Sequence, residues 1–176
     1  MDLLDQLMAE HLEAEDLLAR LKDTDIGPER DELVRQLTTT LRTHMAVEEK
    51  FIYPIASDVL GGEPVDEADT EHQLARDGLD KLDELRTEPG FGAAVDMVEA
   101  GIAHHVHEEE HQMFPELRRE ERPQIAALDL DECRQAVADD VIDLTKDELY
   151  RRAQEADIPG RSSMSKRELA DALAAQ

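Results

Sequence analysis

Apolar residues recur every three to four positions at the start of the chain, at Leu3, Leu4, Leu7, Met8, Ala14, Leu18 and Leu21. That period predicts an amphipathic helix over residues 2 to 22, with His11 inside its apolar stripe. Gly27-Pro28 breaks the pattern, and Pro28 suits the first position of a second helix. The second stripe runs through Leu33, Val34, Leu37, Leu41, His44, Val47, Glu48, Phe51 and Ile55, and Pro54 is expected to kink it or end its regular part. After Gly61-Gly62, a third helix opening at Pro64 carries Ala68, His72, Ala75, Leu79, Leu82 and Leu85, with Gly78 as a weak point. A fourth follows Glu88-Pro89-Gly90 and runs through Ala94, Val98, Ile102, His105, Val106, Glu109, Met113 and Phe114.

Four long helices with short connections predict an all-α fold, an up-down-up-down four-helix bundle over residues 1–122. A connecting segment, 123–143, carries a fifth helix from about Asp129 to Ile142. The remainder, 144–176, changes character. Two capping boxes, Thr145-Lys146-Asp147-Glu148 and Ser165-Lys166-Arg167-Glu168, predict two short helices on either side of Ile158-Pro159-Gly160, a small C-terminal helical unit.

A repeat runs through the bundle. The stretch from His44 to Pro54 returns 61 residues later as His105 to Pro115: His44 maps on His105, Glu48 on Glu109, Glu49 on Glu110, Tyr53 on Phe114 and Pro54 on Pro115. The same offset carries Glu10-His11 onto Glu71-His72. A His and a Glu at i and i+4 share one helix face. Here both pairs lie on apolar stripes, and a carboxylate is rarely buried without a partner. Four inward histidines and two inward glutamates, related by one offset, therefore call for a cation: His11, His44, Glu48, His72, His105 and Glu109.

Other acidic and imidazole groups in these stretches fit less well. His104 stands about 100 degrees off the face that the offset selects and is the alternative to His105. His107 and His111 match no histidine in the second helix and are expected to face solvent. Glu49 and Glu110, at i+5, turn from the seam and suit salt bridges or support of the ligands. Imidazole and carboxylate without thiolate favour two non-haem iron ions, each with two histidines, bridged by Glu48 and Glu109. Ferritin-like di-iron bundles instead pair Glu-x-x-His motifs, and the chain has a single such motif, Glu108 to His111.

Charge narrows the partners. The net charge is −25, which opposes binding to nucleic-acid phosphates or anionic lipid and is compatible with cations. Residues 144–176 hold six basic and six acidic residues, so the negative charge lies on the rest of the chain. One cysteine, Cys133, excludes an intrachain disulfide or a multi-cysteine metal site. With no signal-peptide pattern and no apolar run near 18 residues, the expected location is cytoplasmic, with no membrane contact.

Over about residues 1 to 120 the chain resembles the hemerythrin-like, His-His-Glu cation-binding proteins. The residues that carry the likeness are Glu10-His11, His44-x-x-x-Glu48-Glu49 with Tyr53-Pro54, Glu71-His72, and His104-His105-x-x-x-Glu109-Glu110 with Phe114-Pro115. The resemblance implies a bridged di-iron centre that binds or senses oxygen, nitric oxide or peroxide. Oxygen-carrying hemerythrins have a fifth histidine four residues after the third-helix histidine, where this chain has Arg76. That departure points from reversible oxygen carriage toward sensing, iron handling or a peroxide-decomposing enzyme. Residues 144–173 resemble the helix-extended-helix units of SAP-like and Rho N-terminal-like modules. In such modules the unit touches nucleic acid or a protein partner, so a metal-switched regulatory protein is the alternative function.

Overall fold

The structure, a computed structural model, describes residues 2–120, 123–138, 149–150, 153–154, 156, 158–161, 164, 169 and 172. No strand occurs among the described residues. Two compact units are present, Met1–Val141 and Ile142–Gln176.

In the first unit α1 (Leu3–Lys22) pairs with α2 (Pro28–Val47), and α4 (Gly62–Leu85) with α5 (Phe91–Glu108). Contacts of α1 with α5 and of α2 with α4 close the bundle. Asp2 and Asp5 form a reciprocal capping box that starts α1. Pro28 opens α2 at its first turn, where a missing N–H costs nothing. Gly61, at φ +86°, stops α3 (Tyr53–Leu60) in a conformation that side chains rarely adopt. The third long helix then begins at Gly62 rather than Pro64, because Pro64 fits within its first turn.

The proline expectation is refined by the backbone. Before Tyr53-Pro54 the helix widens into a π segment, Glu48–Ile52, and before Phe114-Pro115 into another, Glu109–Met113. The N–H of Tyr53 donates to the carbonyl of Glu48, and that of Phe114 to the carbonyl of Glu109, each five residues back. A π turn absorbs one extra residue, so the chain passes each proline without ending. It resumes as α3 and as α6 (Phe114–Arg119). Phe51 and Ile55 end up half-buried, since the wider turn rotates them off the stripe.

α7 (Pro123–Ala126) and α8 (Leu130–Val137) pack on the bundle through Ile125, Leu130, Cys133 and Val137. Of the fifth helix expected from about Asp129 to Ile142, the described residues show Leu130–Val137. Asp129 caps it by accepting from the N–H groups of Asp131 and Glu132, and residues 139–148 lie outside the described set.

The apolar core is divided. One cluster joins Ala14 to Leu21, Leu33 to Met45, Leu79, Leu82 and Phe91 to Val106. The other joins Leu3 to Leu7, Val47 to Ala56, Val65, Ala68 and Met113 to Val137. His11 and His72 fall between them along their helices, and His44 and His105 at the last positions of the first cluster, so a polar layer crosses the bundle where the two clusters meet.

In the second unit Leu149, Ala153, Ile158 and Leu169 are buried together, and Gly160 turns at φ +76°. Residues 145–148 and 165–168 of the two capping boxes lie outside the described residues. Among those described, no helix is long and apolar enough to cross a membrane.

Candidate metal centre

All six residues singled out by the repeat are buried in the polar layer. Two groups share the glutamates: His11, His44, Glu48 and Glu109, and then Glu48, His72, His105 and Glu109, each with its donor atoms within 4.8 Å of one another. The histidines face in pairs. His11 Nε2 lies 3.0 Å from His44 Nε2, and His72 Nε2 lies 3.1 Å from His105 Nε2. Glu48 reaches both pairs, with Oε1 3.1 Å from His44 Nε2 and Oε2 3.4 Å from His72 Nε2. Glu109 does likewise, with Oε2 3.4 Å from His11 Nε2 and 3.3 Å from His105 Nε2.

What holds the rings is a second set of glutamates. Glu110 accepts from His11 Nδ1 at 2.9 Å, Glu10 from His44 Nδ1 at 2.8 Å, Glu49 from His72 Nδ1 at 2.8 Å, and Glu71 from His105 Nδ1 at 3.0 Å. These four also obey the 61-residue offset. With the Nδ1 proton donated outward, a neutral imidazole presents its Nε2 lone pair inward. Glu49 and Glu110 hold histidines of the opposite hairpin, so the i+5 positions support the cluster across the bundle.

The arrangement is tuned for a cation. Two inward lone pairs 3.0 Å apart repel one another unless a proton or an ion lies between them. Both oxygens of Glu48 and Oε2 of Glu109 are buried without a hydrogen bond, with only the ring nitrogens 3.1 to 3.4 Å away. A buried carboxylate left so costs several kcal/mol. Burial alone would lower the His44 imidazolium, but the Glu48 and Glu10 carboxylates raise it to about 10. His105 is raised against the same burial to about 9 by Glu109 and Glu71. Glu48 and Glu109 are held below the usual carboxylate range, because the histidines around them outweigh their burial. Protons thus stand where metal ions fit.

Tyr53 is a site residue that the repeat marks only as an aromatic before a proline. Its hydroxyl donates to Glu109 Oε1 at 3.1 Å and lies 3.0 Å from His72 Nε2. Burial and the Glu109 and Glu48 carboxylates push its pKa far up, so it keeps its proton. Arg76, at the fifth-histidine position, grips both oxygens of Glu49 at 2.7 and 2.8 Å. His104 is 60% exposed and lies outside the buried layer, which contains His105. His107 and His111 are exposed and stack on each other at 4.3 Å. On the core side, a cavity of about 10 Å³ adjoins the histidines and is lined by Leu41, Met45, Ala75, Ile102 and Val106 among others.

Comparison with known proteins bears on the family and the fold. The family profile described as hemerythrin HHE cation binding domain matches residues 2–117. The chain is similar to a solved structure of a hemerythrin HHE cation binding domain-containing protein from Mycobacterium kansasii. That match has a TM-score of 0.60 and 21% identity, and it covers 98% of this chain and 99% of the other. No curated protein matches the chain. With a buried His/Glu layer and a profile match over most of its length, the chain belongs to the hemerythrin HHE cation-binding domain family.

Proposed function

We propose that this is a non-haem di-iron protein of the cytoplasm that binds or senses a small oxidant: oxygen, nitric oxide or peroxide. The observation that carries the reading is the pairing of four Nε2 atoms over two shared carboxylates, whose Glu48 Oε1, Glu48 Oε2 and Glu109 Oε2 atoms lack a hydrogen bond. Two nitrogens about 2.1 Å from one ion and at right angles to it are about 3.0 Å apart. The observed 3.0 and 3.1 Å suit two nitrogens that share one ion. His11 and His44 would hold one ion, His72 and His105 the other, with Glu48 and Glu109 bridging.

When bound, the two irons supply redox electrons and open coordination positions. The protein does the rest with fixed groups. Glu10, Glu49, Glu71 and Glu110 hold the rings through Nδ1, so that each Nε2 faces inward toward an incoming ion. Tyr53 presents a proton donor at the cluster. Leu41, Met45, Ile102 and Val106 restrict the adjoining cavity to a ligand of a few atoms and keep bulk water out.

Metal analysis of anaerobically purified protein tests the reading, with each of the six residues changed to Ala in turn. Loss of iron from the variants is expected; iron retained in all six sinks the proposal. An optical spectrum of the reduced protein before and after air then separates reversible binding from redox turnover. A stable, reversible charge-transfer band means carriage, and irreversible oxidation means sensing or peroxide chemistry.

A further inference from the structure

One exposed histidine beside the cluster, His104, has its own carboxylates. His104 and Glu108 lie four apart on α5, and Glu71 faces them from α4. His104 Nε2 is 3.2 Å from Glu71 Oε1 and 3.8 Å from Glu108 Oε1, and all three donor atoms lie within 4.8 Å of one another. An exposed histidine between two carboxylates is commonly an ion pair and nothing more.

The repeat supplies a second observation, the cation found at the matching place in the other half. Taken back 61 residues, Glu71, His104 and Glu108 fall on Glu10, Thr43 and Val47. Glu10 is arranged like Glu71: its Oε2 holds a histidine Nδ1, and its Oε1 is the outer oxygen. There the outer oxygen is gripped by the guanidinium of Arg134, which α8 brings from beyond the repeat. So one half of the molecule fixes a permanent cation on this carboxylate. The other half offers the matching oxygen together with an imidazole nitrogen and a second carboxylate, on two rigid helices and open to solvent.

We propose that Glu71, His104 and Glu108 form a second, surface site for one divalent transition-metal ion of the zinc type. A tetrahedral ion with bonds of about 2.0 to 2.2 Å needs donors about 3.4 Å apart, which the 3.2 and 3.8 Å separations straddle. Water completes the coordination. The ion takes the place that Arg134 fills in the related half. Because Glu71 also holds His105, occupancy of this outer site reaches the buried layer through one carboxylate. The site itself does not depend on which ions the buried layer takes.

The experiment is a chelator-buffered Zn²⁺ titration of the full chain, metal-free and iron-loaded, for wild type and for His104→Ala, Glu108→Gln and the double variant. Wild type is expected to take one Zn²⁺ more than the double variant in both states. Each single substitution should weaken that ion by at least about tenfold. Iron content and far-UV circular dichroism should not change, since both side chains lie outside the buried layer. Equal Zn²⁺ stoichiometry and affinity in wild type and double variant overturn the proposal. If the buried layer takes no iron, the difference of one Zn²⁺ between wild type and variant still stands, so the two proposals fail separately.

Discussion

The two halves of the polar layer are alike where they face inward and differ in what stands behind. His11 and His44 are matched by His72 and His105, and Glu48 by Glu109. Their outer carboxylates match as well. The differences begin one contact further out: Glu10 meets Arg134 and Glu71 meets His104, while the ring of His72 stacks on Tyr53 and that of His11 on Phe114. The repeat keeps the inward His/Glu groups that can hold metal and varies the contacts behind them. The inward groups make the layer able to hold metal, and the outer contacts make its two ends inequivalent.

The largest expected effect treats the halves together. His44 and its counterpart His105 titrate at about 10 and about 9 in the metal-free protein, above the ordinary 6.5. The stability that their protonated forms contribute is complete below about 6.5 and is lost as the pH rises through those values. Metal ions displace those protons, so uptake releases protons and strengthens as the pH rises. Thermal midpoints measured between pH 6.5 and 10 should fall for chelated protein and hold for loaded protein. Parallel curves would show that protons and metal do not compete for these nitrogens.

Next come the outer carboxylates, compared as pairs. Changing Glu49 or Glu110 to Gln keeps the shape and removes the charge that orients a histidine of the opposite hairpin. Each substitution should cost about 10- to 100-fold in metal affinity. Glu49→Gln should be the more severe of the two, because Arg76 is left facing a neutral amide beside His72. Equal losses, measured by competition with a chromophoric chelator, would mean that Arg76 adds nothing to this end.

Much of the inner layer was legible in the sequence, because helical period and a constant offset both act on single side chains. The pairing of Glu110 with His11 was not, since 99 residues separate them and only the packed bundle brings them together. The π segments escaped for another reason: a stripe argument assumes 3.6 residues per turn throughout, and Glu48–Ile52 and Glu109–Met113 violate it locally. The prolines that follow were the trace they left, and they read as kinks. Tyr53 was visible only as one member of an aromatic pair. Its hydroxyl, the atom that distinguishes it from Phe114, acquires meaning only from a carboxylate 56 residues away.

A smaller effect concerns how the hairpins pack. Gly78 on α4 stands where the first hairpin has Leu17, and a Cβ there would meet Val98 Cγ2 at 2.8 Å. The glycine that reads as a weak point in a helix is thus a close approach of α4 to α5. Gly78→Ala gains helix propensity, about 1 kcal/mol, but overpacks the contact, at about 1 to 3 kcal/mol. A net loss is expected in denaturant unfolding, and Val98→Ala in the same chain should recover the overpacking part. A stabilised single variant would mean that the two helices part freely at this point.

The smallest change is the one that makes the halves most alike. Tyr53→Phe removes the only chemical difference between the two stacked rings and with it the O–H that donates to Glu109. A hydrogen bond to a charged acceptor contributes about 1.5 to 3 kcal/mol, but the carboxylate regains part of this when a metal ion takes its oxygens. The loss should therefore be clear in the chelated protein and nearly absent in the loaded one. Phe114→Tyr is the reciprocal test. By the offset it carries a hydroxyl toward Glu48, whose two oxygens lack a hydrogen bond, so it should stabilise the chelated protein while Tyr53→Phe destabilises it. If instead the metal-loaded Tyr53→Phe protein differs from wild type in its optical spectrum, the phenol acts on the ions themselves. The inequivalence of the two halves then lies in the inner shell as well as behind it.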